Sequence, residues 1–314
     1  MPASKVYFTD FRCRNGVSQL DKLRKLLEKS EFSQIDFDGK FVAIKLHFGE
    51  AGNDTYLHPT FVRQVVDCVK ATGARPFLTD TCTLYKSTRH NAVDHLETAY
   101  RHGFTPYVVD APVIMADGVT SKCYEEVAVN LKHFASVKIA QAFLSANAMV
   151  VLSHFKGHAM GGFGGAIKNI SIGIASSAGK AWIHSAGKTK NAAEMWSALP
   201  PQDDFLESMA EAAKAVADHC GERILYINVM NNLSVDCDCD AHPAAPEMGD
   251  IGILASTDPV ALDKACVDLV YASDDPGKVH LIERIESRHG THTLDHAAAI
   301  GLGNPDYELI DIDN

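Results

Sequence analysis

The sequence has no long apolar run. None of its 314 residues lies in a stretch of the roughly 18 to 20 apolar residues that a bilayer-spanning helix needs. The first residues, "MPASKVYFTD", also lack the apolar core of a secretory signal peptide. We therefore expect a cytoplasmic protein without a membrane partner, in which the eight scattered cysteines are reduced thiols and not a disulfide framework.

Basic residues are few relative to acidic ones. The sequence has 29 lysines and arginines against 40 aspartates and glutamates, which gives a formal net charge of −11. Proteins that bind nucleic acid carry basic patches that neutralise phosphates, and no basic run with interleaved aromatic residues occurs here. The composition therefore argues against nucleic acid as a partner.

Short apolar strands alternate with amphipathic helical patterns in the first part of the chain. The predicted strands are residues 40–48, 75–81, 106–112 and 149–155, the predicted helices are residues 58–74, 90–104 and 135–148, and a hairpin is predicted within residues 118–130. This βαβ order predicts an α/β fold with a mainly parallel sheet flanked by helices.

A polar stretch with two consecutive prolines, residues 188–204, is typical of a connector. Beyond it the pattern continues with predicted helices at residues 204–221, 257–273 and 280–303 and predicted strands at residues 223–230, 250–256 and 307–312. We expect either two α/β lobes, residues 1–195 and 196–314, or one extended sheet.

The carboxyl ends of the predicted strands carry polar side chains, namely Lys45, His47, Asp80, Asp110 and His154. Ligands of parallel α/β sheets bind beyond these strand ends. The positions therefore predict the rim of an active site, although polar loop residues without a function would explain any one of them.

The segment from Ser153 to Ser185 gathers glycines, lysines and histidines. Glycine permits a positive φ and a close approach of the backbone to a ligand, and a glycine-rich turn can aim several N–H groups at an anion. The candidate cofactor-binding residues here are Gly161, Gly162, Gly164, Gly165, Lys168 and Lys180. The run matches neither the P-loop nor the dinucleotide-binding pattern, so a phosphate or nucleotide site and a flexible turn both remain open.

A second candidate site is the loop "VDCDCDAHPAAPEMGD". Cys237, Cys239 and His242 offer thiolate and imidazole ligands suited to nickel, iron or zinc. Neighbouring carboxylates are expected to raise the pKa of the thiols. A metal site and a polar loop are both compatible with this pattern. His292 and His296, four residues apart on a predicted helix, also have a ligand spacing, but an exposed helix face is the favoured explanation.

The order of His158, Gly164, Gly165, Lys168 and a later His184 resembles the active-site run of nickel-pincer lactate racemases. The resemblance implies that Lys168 holds a nickel-pincer nucleotide, that His184 ligates nickel and that His158 is an acid/base catalyst. Apolar surroundings are expected to lower the pKa of Lys168. The candidates for a second acid/base residue are His47, His58, His90 and His154.

Longer stretches resemble a widespread prokaryotic domain-of-unknown-function family whose members are commonly described as iron–sulfur-centre proteins. These stretches are "LTDTCTLYKSTRHNAVDHLETAYRHGF", "LSHFKGHAMGGFGGAIKNISIGIASSAGK" and "DIGILASTDPVALDKACVDLV". Many members carry a ferredoxin-like insert with C-x-x-C-x-x-C runs, but this chain has only Cys220 between His184 and Tyr226. The first stretch contains Asp80, Tyr85 and Arg89, and these residues, together with Lys45, are the candidates for binding an anionic substrate.

The sequence therefore predicts a metal- or redox-cofactor-dependent enzyme that acts on a small anionic molecule, with a site like that of a racemase or a hydride-transfer enzyme. One alternative is an iron–sulfur or other metal-binding module in electron transfer or assembly. Another is a phosphate- or nucleotide-binding protein.

Overall fold

The centre of the molecule is an eight-stranded sheet, seen in a computed structural model that describes residues 2–313. The strands are β1 (Ser4–Asp10), β2 (Phe41–Lys45), β3 (Arg75–Asp80), β4 (Val113–Met115), β5 (Tyr124–Ala128), β6 (Ser136–Ala140), β7 (Ala148–His154), β8 (Lys156–His158), β9 (Gly162–Gly164), β10 (Ile224–Met230), β11 (Gly252–Ser256) and β12 (Tyr307–Asp311). The helices are α1 (Gln19–Lys29), α2 (Pro59–Ala71), α3 (Ala92–Arg101), α4 (Pro106–Val109), α5 (Gln141–Ser145), α6 (Ala166–Ser171), α7 (Ser177–His184), α8 (Ala192–Met195), α9 (Gln202–Cys220), α10 (Pro259–Ala272), α11 (Lys278–Ser287) and α12 (His292–Ala299), and a short 3-10 helix spans Glu31–Gln34.

The strand order of the sheet is β12-β1-β11-β10-β7-β2-β3-β4. All neighbours are parallel except β11, which is antiparallel to both β1 and β10. The pairs β5–β6 and β8–β9 form two small antiparallel ribbons. The predicted α/β fold with a mainly parallel sheet flanked by helices is confirmed.

Strands from both predicted segments share this sheet. β10 pairs with β7, and the C-terminal strand β12 pairs with the N-terminal strand β1. The division near residue 195 stays a prediction about folding units. None of the helices in residues 2–313 combines the length and the hydrophobicity that crossing a bilayer requires.

Helices cover both faces of the sheet because alternate strand residues point to opposite sides. In β2, Val42 and Ile44 pack in one apolar cluster while Ala43 packs in the other. α2 begins after the N-cap His58 with Pro59 in its first turn, and it buries Val62, Val65, Val66 and Val69 against the first cluster.

Three sequence predictions of secondary structure are wrong. The hairpin predicted within residues 118–130 is not there, because β5 pairs with β6, outside that range. Residues 106–112 do not form a strand, because Pro106 begins the short helix α4 and Asp110 ends it in the left-handed region, at a φ of 54°. Most of residues 135–148 is not helical, because β6 comes first and its partner in a hairpin is β5. Val137 and Ile139 are buried in the core, and Lys138 contacts Glu126 across the ribbon, so tertiary packing selects the strand.

Candidate functional site

A cavity of about 340 Å³ opens at the carboxyl ends of β2, β3 and β7. It is lined by twelve of the residues that the sequence predicted as site residues, namely Lys45, His47, Asp80, Tyr85, Arg89, His154, His158, Gly165, Lys168, Lys180, His184 and Cys239. The parallel register explains the convergence, since Lys45 lies opposite Thr79 of β3 and Val151 of β7. The strand-end rule thus brings together residues that are up to about 190 positions apart in the sequence.

Other predicted residues lie elsewhere. His242 is exposed, and its backbone N–H donates to the Asp240 carboxylate at 2.9 Å. Asp110 is a surface residue whose carboxylate lies 2.8 Å from the Lys70 ammonium. The His58 ring caps the N-terminus of α2, and His90 is exposed. These four residues therefore do not belong to the cavity lining, and the rim predicted at Asp110 is wrong because its strand is a helix.

The cavity lining is strongly cationic. Four buried cations, Lys45, Lys156, Lys180 and Arg89, and the partly buried Lys168 face it, and Asp80 is the single carboxylate that residues 2–313 contribute to the lining. The other carboxylates that pair with these cations, Glu50 and Asp238, do not line this cavity. Several ionised side chains are therefore buried here together with their partners. The lining that a bound molecule would contact carries a net positive charge.

Lys45 and Asp80 form a buried ion pair at the end of adjacent strands. The Lys45 Nζ lies 2.9 Å from the Asp80 carboxylate and donates to the Asn169 side-chain oxygen at 2.7 Å. Burial alone would raise the pKa of the Asp80 carboxyl, but the Lys45 ammonium holds it below its ordinary value. Burial lowers the pKa of Lys45 itself, and the Asp80 charge only partly offsets that effect.

His154 is held on both sides of its ring. Its Nδ1 lies 2.8 Å from the Asp238 carboxylate and its Nε2 lies 2.6 Å from the carbonyl of Asn231. Both partner groups are hydrogen-bond acceptors. The Asp238 carboxylate also pairs with Lys156 at 3.1 Å, and despite burial these two cations keep its pKa below the ordinary value. Through these contacts His154, the last residue of β7, holds the loop that follows β10 in place.

His158 and His184 have opposite tautomers. The Nδ1 of His158 accepts the backbone N–H of Gly161 at 2.8 Å, so the neutral ring carries its proton on Nε2. The Nδ1 of His184 donates to the carbonyl of Lys180 at 2.7 Å, one helical turn earlier, which leaves the Nε2 lone pair free. Burial, together with nearby lysine charges, lowers the pKa of His158 to about 3 and that of His184 to about 4. At neutral pH one ring therefore offers an N–H group and the other a basic nitrogen.

His47, the third predicted catalytic residue, is also fixed by its backbone. Its Nδ1 accepts the N–H of Gly49 at 3.0 Å, which assigns the proton of the neutral ring to Nε2. Burial, with Arg89 and the lysines nearby, lowers its pKa well below the ordinary histidine value. Like His158, it lines the cavity as a neutral ring that can donate.

Lys168 contacts a thiol. Its Nζ lies 3.2 Å from the Sγ of Cys237, and Cys239 hydrogen-bonds to Cys237. Burial by itself would lower the pKa of Lys168, but the two neighbouring sulfur groups raise it above the ordinary value. The lowered lysine pKa expected from the sequence is therefore wrong, because the apolar surroundings contain a thiolate that the sequence did not place there.

The same contacts lower the pKa of Cys237 well below that of a free thiol. The hydrogen bond from Cys239 acts first, and the charge of Lys168 adds to it. The expectation that neighbouring carboxylates raise the thiol pKa is wrong for Cys237. Cys239, as the donor of the pair, has a raised pKa. His158 brings a ring nitrogen to within 4.8 Å of both sulfurs, in the place that the sequence gave to His242.

The glycines of the segment allow close packing. Gly162 has a φ of 81°, and a Cβ there would lie 2.9 Å from the Cα of Gly290. A Cβ on Gly165 would lie 2.3 Å from the Asp263 carboxylate. That carboxylate accepts the first two N–H groups of α6, from Ala166 and Ile167, at 2.7 and 2.9 Å. The helix N-terminus is therefore already capped, while Gly161 directs its N–H to His158 and Gly164 pairs with Lys156 in the β8–β9 ribbon.

Sequence reasoning missed several residues of the site. Asn169 and Lys156 line the cavity, Asp238 and Glu50 pair with its cations, and Trp196 covers part of it from the predicted connector. Lys156 and Asn169 lie next to predicted residues within the segment from Ser153 to Ser185, and this position in the sequence could have identified them. Nothing in the sequence paired Glu50 with Arg89 or Asp238 with Lys156, because these contacts join distant loops.

Two solved structures are similar to the chain at low sequence identity. The lactate racemase apoprotein from Thermoanaerobacterium thermosaccharolyticum is 16% identical with a TM-score of 0.47, and the match covers 72% of this chain and 50% of that protein. A protein from Thermotoga maritima, solved as a structural-genomics target, is 10% identical with a TM-score of 0.45, over 92% of this chain and 61% of that one. The chain thus spans about half the length of the racemase. No curated protein matches the sequence.

The family comparison covers the whole site. Residues 42–268 match the family described as Domain of unknown function (DUF362), and this range contains every residue of the cavity lining. The resemblance carried by the three long sequence stretches is thereby confirmed. The chain belongs to DUF362, a family of domains of unknown function.

Proposed function

We propose that this protein is an enzyme that binds a small anionic molecule in the cavity and acts on it by acid–base chemistry. The observation that carries the proposal is the lining itself, with four buried cations, the partly buried Lys168 and one carboxylate around a space of about 340 Å³. A buried site of this size selects small molecules, and its charge selects anions.

Arg89 is the anchor for the anion. Its Nε pairs with Glu50 at 3.0 Å, whereas its Nη2 has no hydrogen-bond partner among residues 2–313 although the side chain is almost fully buried. A buried guanidinium N–H without an acceptor is costly, and a ligand carboxylate or phosphate oxygen would satisfy it. Tyr85 also lines the cavity; burial raises the pKa of its hydroxyl, which stays protonated and donates to the carbonyl of Cys239 at 3.5 Å.

His158 and His184 supply the proton transfer. Because one neutral ring presents an N–H group and the other a free nitrogen, the pair can donate a proton to one atom of a ligand and accept one from another. This division of roles supports isomerisation or oxidation–reduction at a carbon next to an anionic group. His154, held by Asp238 and Asn231, would position the surrounding loop.

The residues also suit the cofactor that the racemase resemblance implies. Lys168 and His184 line one cavity, and the free Nε2 of His184 is in the protonation state that a metal ligand needs. A nickel-pincer nucleotide held by these two residues would supply a centre able to take up and return hydride. The chain's own part is to bind the anion through Arg89 and to move protons at His158.

A second candidate function is a thiolate metal site. His158, Cys237 and Cys239 bring one nitrogen and two sulfur donors within 4.8 Å of one another, a set that suits zinc, nickel or iron. His158 would then be a ligand and would no longer donate a proton. A four-thiolate iron–sulfur cluster does not fit, since this group of the described residues contains two cysteines.

Anion binding tests the main proposal. Thermal unfolding is measured with single small anions, such as lactate, malonate and inorganic phosphate, for the wild type and for Arg89→Lys. We expect at least one of them to raise the wild-type melting temperature and to lose most of that effect in Arg89→Lys, because lysine keeps the charge but not the guanidinium geometry. Stabilisation that is the same in both proteins, or absent in the wild type, would contradict the proposal.

The cofactor is tested on protein purified anaerobically from its native host. Intact-mass spectrometry and elemental analysis are compared for the wild type, Lys168→Ala and a Cys237→Ser/Cys239→Ser variant. A mass adduct with nickel that is lost in Lys168→Ala supports the pincer cofactor. Metal without an adduct, lost only in the double cysteine variant, supports the thiolate site instead.

A further inference from the structure

The cavity is lined by apolar side chains as well as by cations. The apolar residues of the lining are Leu84, Ala159, Met160, Ile172 and Trp196. They come from four separate segments, namely the loop after β3, the tip of the β8–β9 ribbon, the end of α6 and the end of α8. Neither the anion anchor nor the proton transfer proposed above uses them, so their part in binding is still to be explained.

Trp196 shows what this apolar surface lacks. Its side chain lines the cavity and is nevertheless 55% exposed. An aromatic ring that is half-exposed at the edge of a concave site is apolar surface that a ligand can cover, and its burial removes a large apolar area from water. Met160 is held near the same end of the cavity, because the side-chain amide of Gln202, at the start of α9, donates to the Met160 carbonyl at 2.7 Å. The apolar residues thus favour an apolar group in the ligand and not a second charge.

The charges of the lining leave room for one anionic group. Three of its cations have a carboxylate partner, namely Lys45, Lys156 and Arg89. Lys168 contacts the sulfur of Cys237. Lys180 differs, because its ammonium donates to two neutral groups, the carbonyl of Ala175 at 2.7 Å and the hydroxyl of Thr81, and forms no ion pair with a carboxylate of residues 2–313. One negative charge on a ligand would balance this cation, whereas a second would be buried without a partner.

The two cations with bonding capacity to spare are anchored on one loop. Thr81, which accepts from Lys180, is the first residue after β3, and the carbonyl of Arg89 accepts the N–H of Thr83 at 3.0 Å. The unpaired Nη2 of Arg89 therefore belongs to the same loop. Most of the apolar side chains come from other segments. This division suits a molecule with one charged group and an apolar body.

We propose that the substrate of this cavity is a monocarboxylate with an apolar body, for example an aromatic ring, and not a dicarboxylate or a phosphate ester. The inference rests on the proposed function, which assigns the anionic group to Arg89 and does not specify the rest of the molecule. The carboxylate pairs with Arg89 and balances the charge of Lys180. The body of the molecule lies against Met160, Ile172 and Trp196.

The size of the cavity agrees with such a molecule. Its volume of about 340 Å³ lies near the lower end of the range of about 300–1,000 Å³ that is typical of small-molecule sites. A carboxylate group alone would fill only a small part of this space, and the remainder adjoins the apolar side chains. The substrate should therefore be small but larger than its charged group.

A set of four carboxylates tests the proposal by calorimetric titration of the full-length protein purified from its native host. Acetate and phenylacetate differ by the apolar group, and malonate and phenylmalonate are the corresponding pair with a second charge. We expect phenylacetate to bind at one site per chain and at least about tenfold more tightly than acetate, because the phenyl group is removed from water. Phenylmalonate should bind more weakly than phenylacetate, because no cation is left for its second carboxylate.

Trp196→Ala tests the apolar part of the lining. The substitution removes the ring at the edge of the cavity and leaves Arg89 in place, so phenylacetate should bind about three- to tenfold more weakly while acetate binds as before. Leu199→Ala is the matched control, since Leu199 is an exposed apolar residue of the same connector and does not line the cavity. An unchanged preference for phenylacetate over acetate in Trp196→Ala would overturn the proposal.

The titrations also separate this proposal from the proposed function. If acetate and malonate bind and lose affinity in Arg89→Lys, but the phenyl group adds no affinity or phenylmalonate binds most tightly, the anion site stands and the monocarboxylate proposal is wrong. If none of the four binds, or if Arg89→Lys binds them as well as the wild type, the proposed function fails and this proposal fails with it.

Discussion

The cavity and a cluster of histidines and carboxylates around Glu207, where α12 packs against α9, both combine basic and acidic side chains, but in opposite arrangements. In the cavity most of the cations are buried and face an open space, and two of their three carboxylate partners, Glu50 and Asp238, do not line it. In the cluster each histidine faces a carboxylate directly, and several of the side chains are partly exposed. The first arrangement leaves positive charge for a ligand, whereas the second neutralises charge within the protein. Placement, more than composition, separates a ligand site from a set of ion pairs.

The largest contrast should come from removing one carboxylate in each region. Asp238→Asn removes the buried carboxylate that pairs with Lys156 and hydrogen-bonds to His154, and we expect it to lower the free energy of unfolding by about 3–5 kcal/mol. Asp203→Asn removes an exposed partner of His289 and should cost at most about 1 kcal/mol. Urea unfolding of both variants measures the two losses in the free energy of unfolding. Equal losses would show that the difference in burial between Asp238 and Asp203 does not affect stability.

A pH dependence should follow from the cavity histidines. The folded-state pKa values of His158 and His184, about 3 and 4, are below the ordinary value, so the unfolded chain binds more protons as the pH falls below about 6.5. Stability therefore decreases from neutral pH toward pH 4, and the slope should be shallower in His184→Gln and in His158→Gln. Urea unfolding at several pH values measures the slope, and an unchanged slope in both variants would mean that these rings are not neutral in the folded protein.

The smallest effect concerns the thiolate at the edge of the cavity. Lys168→Met removes the ammonium beside Cys237, so the thiol pKa should rise and its alkylation by iodoacetamide should slow at pH values below that pKa, where the thiolate is the minor form, by up to about tenfold for each pKa unit. Lys214→Met, on the surface of α9, is the control that should leave the rate unchanged. Peptide mass spectrometry follows the modification of Cys237, and an equal rate in Lys168→Met would show that Lys168 does not stabilise the thiolate.

Most of the site could be predicted because strand ends in a parallel sheet share one edge. Lys45, Asp80 and His154 were found by that rule, and Lys168 and His184 by their order in the glycine-rich segment. The protonation behaviour could not be predicted in the same way. The pKa of Lys168 is raised and not lowered because Cys237, 69 residues later, lies against it. His242 is exposed after the turn at Asp240, whereas His158, from the β8–β9 ribbon, brings a ring nitrogen close to Cys237 and Cys239.

By itself the sequence determined the α/β architecture, the family and the edge of the sheet where the polar residues meet. These follow from local periodicity and from strand direction, which neighbouring residues encode. Only the tertiary structure decided which cation faces which anion, which ring nitrogen carries a proton and which glycines lie against another segment. Such properties depend on burial and on distances between loops far apart in the chain, and a few ångströms change the charge that a buried group can hold.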